Sequence, residues 1–381
     1  AMLRVTDAYG PIPYSKMQNG TFSVPYDSQR DVYMAMIDDL DAAMETLYTF
    51  ASAGDGILMR DFDISSFKGD SRLWVSFANT LKLRMAIRMS GVEPEARRIA
   101  EEAVRDMATY GLIDANAENL SFSSDSRQNP FYTQATSTSW QDLRSNASIV
   151  MYMNAYEDPR RASYFSKSGY DGIYVGVRAG IQNVTPTDYA TYSYPLFAEK
   201  DPVPVMYASE SWFLRAEGAL LGWTMGDTAE NLYNTGVKTS LELWGNGSSY
   251  ETYIASETAP ALSYADPRNK HNVSDFGTAV SVKWADDGNE LERIITQKWI
   301  ANHMIGHEAW ADVRRTGYPR LLQVVNNLSG GMWGNVDSSK GMRRLHYPQS
   351  EYDNNRENVL RGVELLGGSD LHGTDVWWAK K

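Results

Sequence analysis

The chain has 381 residues, 43% apolar and 22% charged, with 36 Lys and Arg against 48 Asp and Glu and no cysteine. Such a composition excludes disorder as the main state, and 29 Gly with 14 Pro are too few for a fibrous or low-complexity chain. Without cysteine there is no disulfide, thiolate nucleophile or Cys-ligated metal, and a net charge of -12 disfavours nucleic acid and anionic membrane surfaces as partners.

No stretch approaches the roughly 18 apolar residues of a membrane span, and the opening Ala1-Met2-Leu3-Arg4 lacks the layout of a signal peptide, as expected of a fragment or a processed product. From Ser28, the residues Val32, Tyr33, Met36, Ile37, Leu40, Ala43, Met44 and Leu47 recur at three and four. This spacing predicts an amphipathic helix capped by Asp27 or Ser28. Asp70 is placed to cap a second helix with a stripe of Trp74, Ala78, Leu81 and Met85. Gly91 ends it, Pro94 opens another, and Ala96, Ile99, Ala103, Val104 and Met107 line that helix until Gly111. The pair is a helical hairpin.

A second hairpin follows the same plan. Ser209 to Trp223 forms one helix, Met225-Gly226-Asp227 turns, and Thr228 to Trp244 returns with Ala229, Leu232, Tyr233, Gly236, Val237 and Leu241 inward. Asp227 with Glu230 has the spacing of a capping box, and Ala216, Gly218, Ala219 and Gly222 permit close helix approach. Hairpins of this size have the texture of tetratricopeptide repeats, here too degenerate for a regular solenoid. Between and after them, residues 114–206 and 245–290 are rich in Ser, Asn, Thr, Asp and Tyr and are predicted to be loops, where binding residues usually sit. A helix through Ile294, Ile295, Trp299 and Ile300 is followed by one through Trp310 and Val313 that stops at Gly317, with Pro319 beyond. After it few periodic signals remain.

The chemistry-bearing residues give no catalytic constellation. His303 and His307 would share one helix face, yet no glutamate lies between them and Gly306 sits at a helix break, so a metal site is disfavoured. Gly172, Gly176 and Gly180 read as turns rather than a phosphate cradle, and no Ser stands in a GxSxG elbow. Glu308, Asp312, Arg314 and Arg315 read as ion pairs on a helix, with Arg315 tying loops to it. The 11 Trp and 23 Tyr outnumber 11 Phe; such rings suit sugar or peptide recognition, although the margins of a large helical core account for them more simply. Residues alone point to a binding module, not an enzyme.

Longer strings are more specific. Glu308-Ala-Trp-Ala-Asp-Val-Arg-Arg-Thr-Gly-Tyr-Pro-Arg320, followed by Arg343-Arg-Leu-His-Tyr-Pro-Gln-Ser-Glu351 and Asn354-Asn-Arg-Glu-Asn358, resembles the C-terminal signature of the SusD/RagB family of Bacteroidetes outer-membrane nutrient-binding lipoproteins. Arg4-Val-Thr-Asp-Ala-Tyr-Gly-Pro-Ile-Pro-Tyr14, Gly69-Asp70 before Trp74, Phe77-Ala-Asn-Thr-Leu-Lys-Leu-Arg84, Asp158-Pro-Arg160 and Ala216-Glu-Gly-Ala-Leu-Leu-Gly-Trp223 agree in order.

The resemblance implies a mostly α, SusD-like α-α superhelix with tetratricopeptide-like hairpins and a loop-rich ligand-binding half with a few short strands. It further implies one domain over residues 1–381 that lacks the lipidated cysteine and first helices, and a cell-surface protein that captures glycan for a SusC-like TonB-dependent transporter. No cofactor, metal or nucleic acid is implied. The signature itself, with Trp310, Arg314, Arg315 and Pro319, reads as a buried core with ion pairing. For ligand contact the expected residues are the loop aromatics and their polar neighbours: Trp140, Tyr170, Tyr174, Arg178 and, set apart, Trp333. An oligopeptide binder of the same family and a helical glycoside hydrolase, with two carboxyls about 5 to 10 Å apart, are the rival readings.

Overall fold

The computed structural model describes residues 1–17, 20, 23–54, 60–124, 128–135 and 143–380. Trp140 lies outside them.

Local chemistry sets the first long helices. Gln29–Ser52 starts where the Ser28 hydroxyl accepts the Asp31 N–H at 3.1 Å, and Ser71–Arg88 where the Asp70 carboxylate accepts Arg72 N–H at 2.9 Å and Leu73 N–H at 3.3 Å. The Ser71–Arg88 helix packs against Gln29–Ser52, Ala96–Arg105 and Ala208–Leu220. Being covered on three sides, it buries far more than the expected apolar stripe: Asn79, Thr80, Lys82, Arg84 and Arg88 are inside as well. Each buried polar group has a partner. Asn79 donates to Ala103 O and Gly111 O at 2.9 and 2.8 Å, and Lys82 pairs with Asp41 at 2.7 Å.

The second hairpin comprises Ala208–Leu220 and Ala229–Leu243. Phe213 and Leu214 are fully buried, each stabilising the fold by about 2 to 3 kcal/mol. Its close approach depends on Gly218, where a Cβ would fall 2.6 Å from the Met225 sulfur. The cap differs from expectation. Thr228 accepts Asn231 N–H at 3.2 Å as the N-cap, while Asp227 takes the N–H of Thr228 and the side-chain amide of Asn231. The hydroxyl next to the first turn outcompetes the carboxylate one residue earlier.

Two strands, Leu120–Phe122 and Val203–Met206, pair antiparallel with Leu120 opposite Met206 and a bulge after Leu120. They bring the two ends of the loop-rich segment together. The excursion between them includes a helix missed from sequence, Ala147–Ala155.

Helices Glu290–Ala301 and Gly306–Thr316 follow, the second ended by Gly317 at φ 84°. Beyond them, where few signals were expected, Arg356–Leu366 is a further helix with Gly362 against the Tyr26 ring.

The signature charges do not stay on one helix. Glu308 meets Arg84 at 3.5 Å and also Arg88, which pairs with Asp7; Arg84 grips Glu210 through two bonds of 2.7 Å. Lys298 pairs with Asp312 at 2.9 Å, and Arg315 joins Asp312 to Glu217 on the Ala208–Leu220 helix. Arg314 lies over Trp310 and Trp378 at 3.6 and 4.6 Å. Although burial opposes it, Arg84 and Arg88 hold the Glu308 carboxyl at about 2. Early and late segments also meet here: Trp378 donates to Asp7 at 2.8 Å, Arg344 to Tyr9 O at 2.8 Å and Tyr347 to Pro11 O at 2.7 Å.

Candidate functional site

The loop layer is founded on the Ala147–Ala155 helix. Asn146 caps it by accepting Ser148 N–H at 2.8 Å, and the chain around this cap pairs with Val177: Ala147 N–H donates to Val177 O at 2.9 Å and Val177 N–H to Ser145 O at 2.8 Å. Gly176 makes the approach possible, because a Cβ there would sit 2.6 Å from the Asn146 carbonyl. On the other side Ser193 N–H donates to Val175 O at 2.9 Å. Three segments thus lie side by side.

Between 143–146 and 177–189 they leave a cleft of about 480 Å³. Its apolar wall is Leu143, Val177, Ile181, Val184 and Pro186; Arg144, Thr185 and Tyr189 supply polar groups. Arg144 is braced by carbonyls, donating to Tyr189 O at 3.0 Å and Ala190 O at 3.2 Å. Tyr189 is buried, yet among the described residues its hydroxyl has no hydrogen-bond partner. Burial, with Asp266 nearby, raises that hydroxyl above the usual tyrosine range, so it stays protonated and can both donate and accept.

Behind the cleft stands an aromatic and ionic support. Tyr189 packs on Tyr192 at 4.8 Å, Tyr192 on Tyr170 at 5.5 Å, and Arg268 lies over Tyr189 at 5.3 Å. The Tyr192 hydroxyl donates to Asp266, which also accepts the backbone N–H groups of Arg268, Lys270 and His271. Burial pushes the Asp266 carboxyl up, but these donors outweigh it and hold the group below its usual range. The N–H of Thr185, and then Arg268, hold Asp188 at about 2. Both carboxylates are ionised at neutral pH, so neither supplies the protonated acid that glycoside hydrolysis requires.

The residues expected from sequence fall in different places. Tyr170 belongs to the aromatic support. Tyr174 turns the other way, under Arg161 at 4.9 Å, with its carbonyl accepting from Asn154 at 2.9 Å. Arg178, next to Val177 of the wall, ties loops together by donating to His271 O at 3.3 Å and Gln323 O at 2.7 Å. Trp333 is elsewhere, stacked on His346 with centroids 3.4 Å apart, and His346 Nδ1 meets His372 Nε2 at 2.7 Å. Tyr189, Tyr192 and Asp266 escaped the sequence reading; the Thr185-Pro186 start of a short helical turn and the Asp266-Pro267 turn were the available signals.

His303 and His307 do not share a helix face, because the backbone breaks between Ala301 and Gly306. His303 is buried and stacked on Tyr164 at 4.0 Å, and burial lowers its pKa to about 3. Among the described residues no group of three His, Asp or Glu could hold a metal ion.

The family model described as SusD-like, Susd and RagB outer membrane lipoprotein, matches residues 1–379. The chain belongs to the SusD/RagB family. Solved SusD homologues share the fold: a chitin-binding homologue from Flavobacterium johnsoniae is 40% identical with a TM-score of 0.92, the alignment covering 100% of this chain and 78% of that one. A homologue from Bacteroides uniformis is 43% identical with a TM-score of 0.91, covering 100% and 79%. A SusD-like protein from Bacteroides thetaiotaomicron is 40% identical with a TM-score of 0.89, covering 100% and 79%. A search of curated proteins finds no match. The SusD-like match spans hairpins and loop layer alike, as the mostly helical fold expected from sequence requires.

Proposed function

We propose that the protein is a non-catalytic, cell-surface glycan-binding protein that captures oligosaccharide for import through a SusC-like TonB-dependent transporter. The cleft at Tyr189 carries this reading. It places an apolar wall that suits the C–H face of a sugar beside a buried hydroxyl that has no partner among the described residues and an arginine pinned by carbonyls. The chitin-binding homologue supports glycan as the ligand class. The family's description supports lipid attachment at the outer membrane; among the described residues no helix is long and apolar enough to cross a membrane.

Calorimetric titration of the protein with N-acetylglucosamine, xylose, glucose and mannose oligomers, beside a set of short peptides, tests the reading. Binding of one glycan class, weakened by Tyr189→Phe, is expected. Peptide binding without glycan binding would transfer the assignment to oligopeptide capture, and release of shorter sugars on incubation would replace capture by hydrolysis.

A further inference from the structure

A second and larger cleft, of about 820 Å³, opens where the 257–289 loop meets the start of the Glu290–Ala301 helix and the turn at Tyr318–Arg320. Glu292 lies in its wall with only 7% of its surface exposed. Among the described residues its Oε1 accepts no hydrogen bond, and the Arg320 guanidinium is ion-paired with it at a long 3.6 Å. A carboxylate oxygen withdrawn from water with only a long ion pair is under-satisfied, and it has room for one more donor from the cleft. Burial accordingly pushes the Glu292 carboxyl above its usual range.

The neighbours of Glu292 define what that donor is. The other charges of the cleft are already matched, Lys283 to Glu257 at 2.6 Å and Asp287 to Arg293 at 3.0 Å. Arg320 is anchored at one end by donating to Thr278 O at 2.6 Å, while its side chain stays 44% exposed. Trp284, propped against Tyr233 at 5.4 Å, and Tyr318 bring rings into the same wall. An anionic ligand would meet three carboxylates and a cationic one would meet Arg320 and Lys283. A neutral unit with adjacent hydroxyls fits both sides: one hydroxyl donates to Glu292 while its neighbour accepts from Arg320, and its C–H face covers an indole.

We propose that this cleft is a second carbohydrate site, gripping one hydroxyl-rich sugar unit through Glu292, Arg320 and Trp284. The proposal rests on the glycan reading above for its ligand class, but on different residues. The two clefts flank one segment of chain, since Arg178 beside the first holds Gln323, three residues beyond Arg320.

The test is nuclear magnetic resonance of the protein with 15N-labelled tryptophan, titrated with N-acetylglucosamine, xylose, glucose and mannose oligomers of two to six units. The Trp284 indole signal is assigned by its loss in Trp284→Phe. We expect this signal to move on titration in the wild type and in Tyr189→Phe alike. Glu292→Gln should weaken the response at least tenfold, and Arg320→Met, a more exposed change that spares the buried helix start, should do the same if Glu292→Gln fails to fold. An unmoved Trp284 signal alongside glycan binding that Tyr189→Phe weakens would overturn the second site and leave the first standing. A Trp284 response without any Tyr189-dependent binding would instead move the whole function to this cleft. Silence at both sites would remove both assignments.

Discussion

The signature hub and the loop layer are both rich in arginine, but they hold it differently. In the hub, Arg84, Arg88 and Arg315 are locked to carboxylates of other helices, and each of Glu210, Glu217, Glu308 and Asp312 meets a cation. In the loop layer, Arg144 and Arg178 are held by backbone carbonyls, and among the described residues the phenol of Tyr189 has no hydrogen-bond partner. Side-chain ion pairs fix one helix arrangement, since removing either member strands a buried charge. Carbonyl-braced arginines fix loops, and the Tyr189 hydroxyl beside them keeps polar capacity for something outside the chain. The division is not complete, since Arg268 pairs with Asp188 behind the cleft and Arg314 in the hub is held by the carbonyls of Asp7 and Arg343. The arginines nearest the cleft are nonetheless the ones answered by carbonyls.

Substitutions can break this contrast, in descending order of expected effect. Glu308→Ala removes the carboxylate that bridges Arg84 and Arg88, leaving two buried guanidinium groups to Glu210 and Asp7 alone, and should cost about 3 to 5 kcal/mol in denaturant unfolding; a loss below about 1 kcal/mol would mean the hub is not a structural lock. Gly176→Ala presses a methyl group into the Asn146 backbone and should cost about 3 kcal/mol, the upper end of overpacking. An unchanged melting temperature would show that the loop segments part easily.

His303 tests the buried face by pH. Its pKa is depressed from 6.5 to about 3, so the folded state binds fewer protons than the unfolded one. The stability involved is fully present above 6.5 and is lost as pH falls toward 3, amounting to about 2 kcal/mol at pH 5. His303→Phe keeps a ring on Tyr164 and should flatten the stability profile across that window; an unaltered slope would assign the acid sensitivity to other groups. Smallest is Tyr189→Phe, which removes one hydroxyl that bonds nothing among the described residues. Stability should hold within about 0.5 kcal/mol while glycan affinity falls about five- to tenfold. A stability loss instead would make Tyr189 part of the scaffold.

These contrasts also mark what was legible in the sequence. Caps at Ser28 and Asp70 were readable because a side chain and the next turn's N–H are neighbours in the chain. The hairpins were readable because one face is apolar. Ala147–Ala155 was not, since it is buried almost all round and lacks a polar face to give a period. Arg356–Leu366 hid behind Gly362, which looks like a breaker but serves to admit the Tyr26 ring. At the sites, Glu292 and Arg320 are 28 residues apart and Tyr189 and Asp266 77 apart, and no local pattern announces such pairs.

The bond from Trp378 to Asp7 joins residues 371 apart in sequence. A growing chain emerges from its N-terminal side, so Asp7, and through it Arg88, must wait for the following 371 residues to be made before their environment is complete. Contacts of such separation slow folding and lengthen the time in which apolar faces stand open. The second hairpin, local in sequence, can form during synthesis, whereas the contacts of the hub are not all available until Trp378 has been made. Nascent chains stopped before Trp378 should therefore carry helices but remain prey to proteases until the indole arrives.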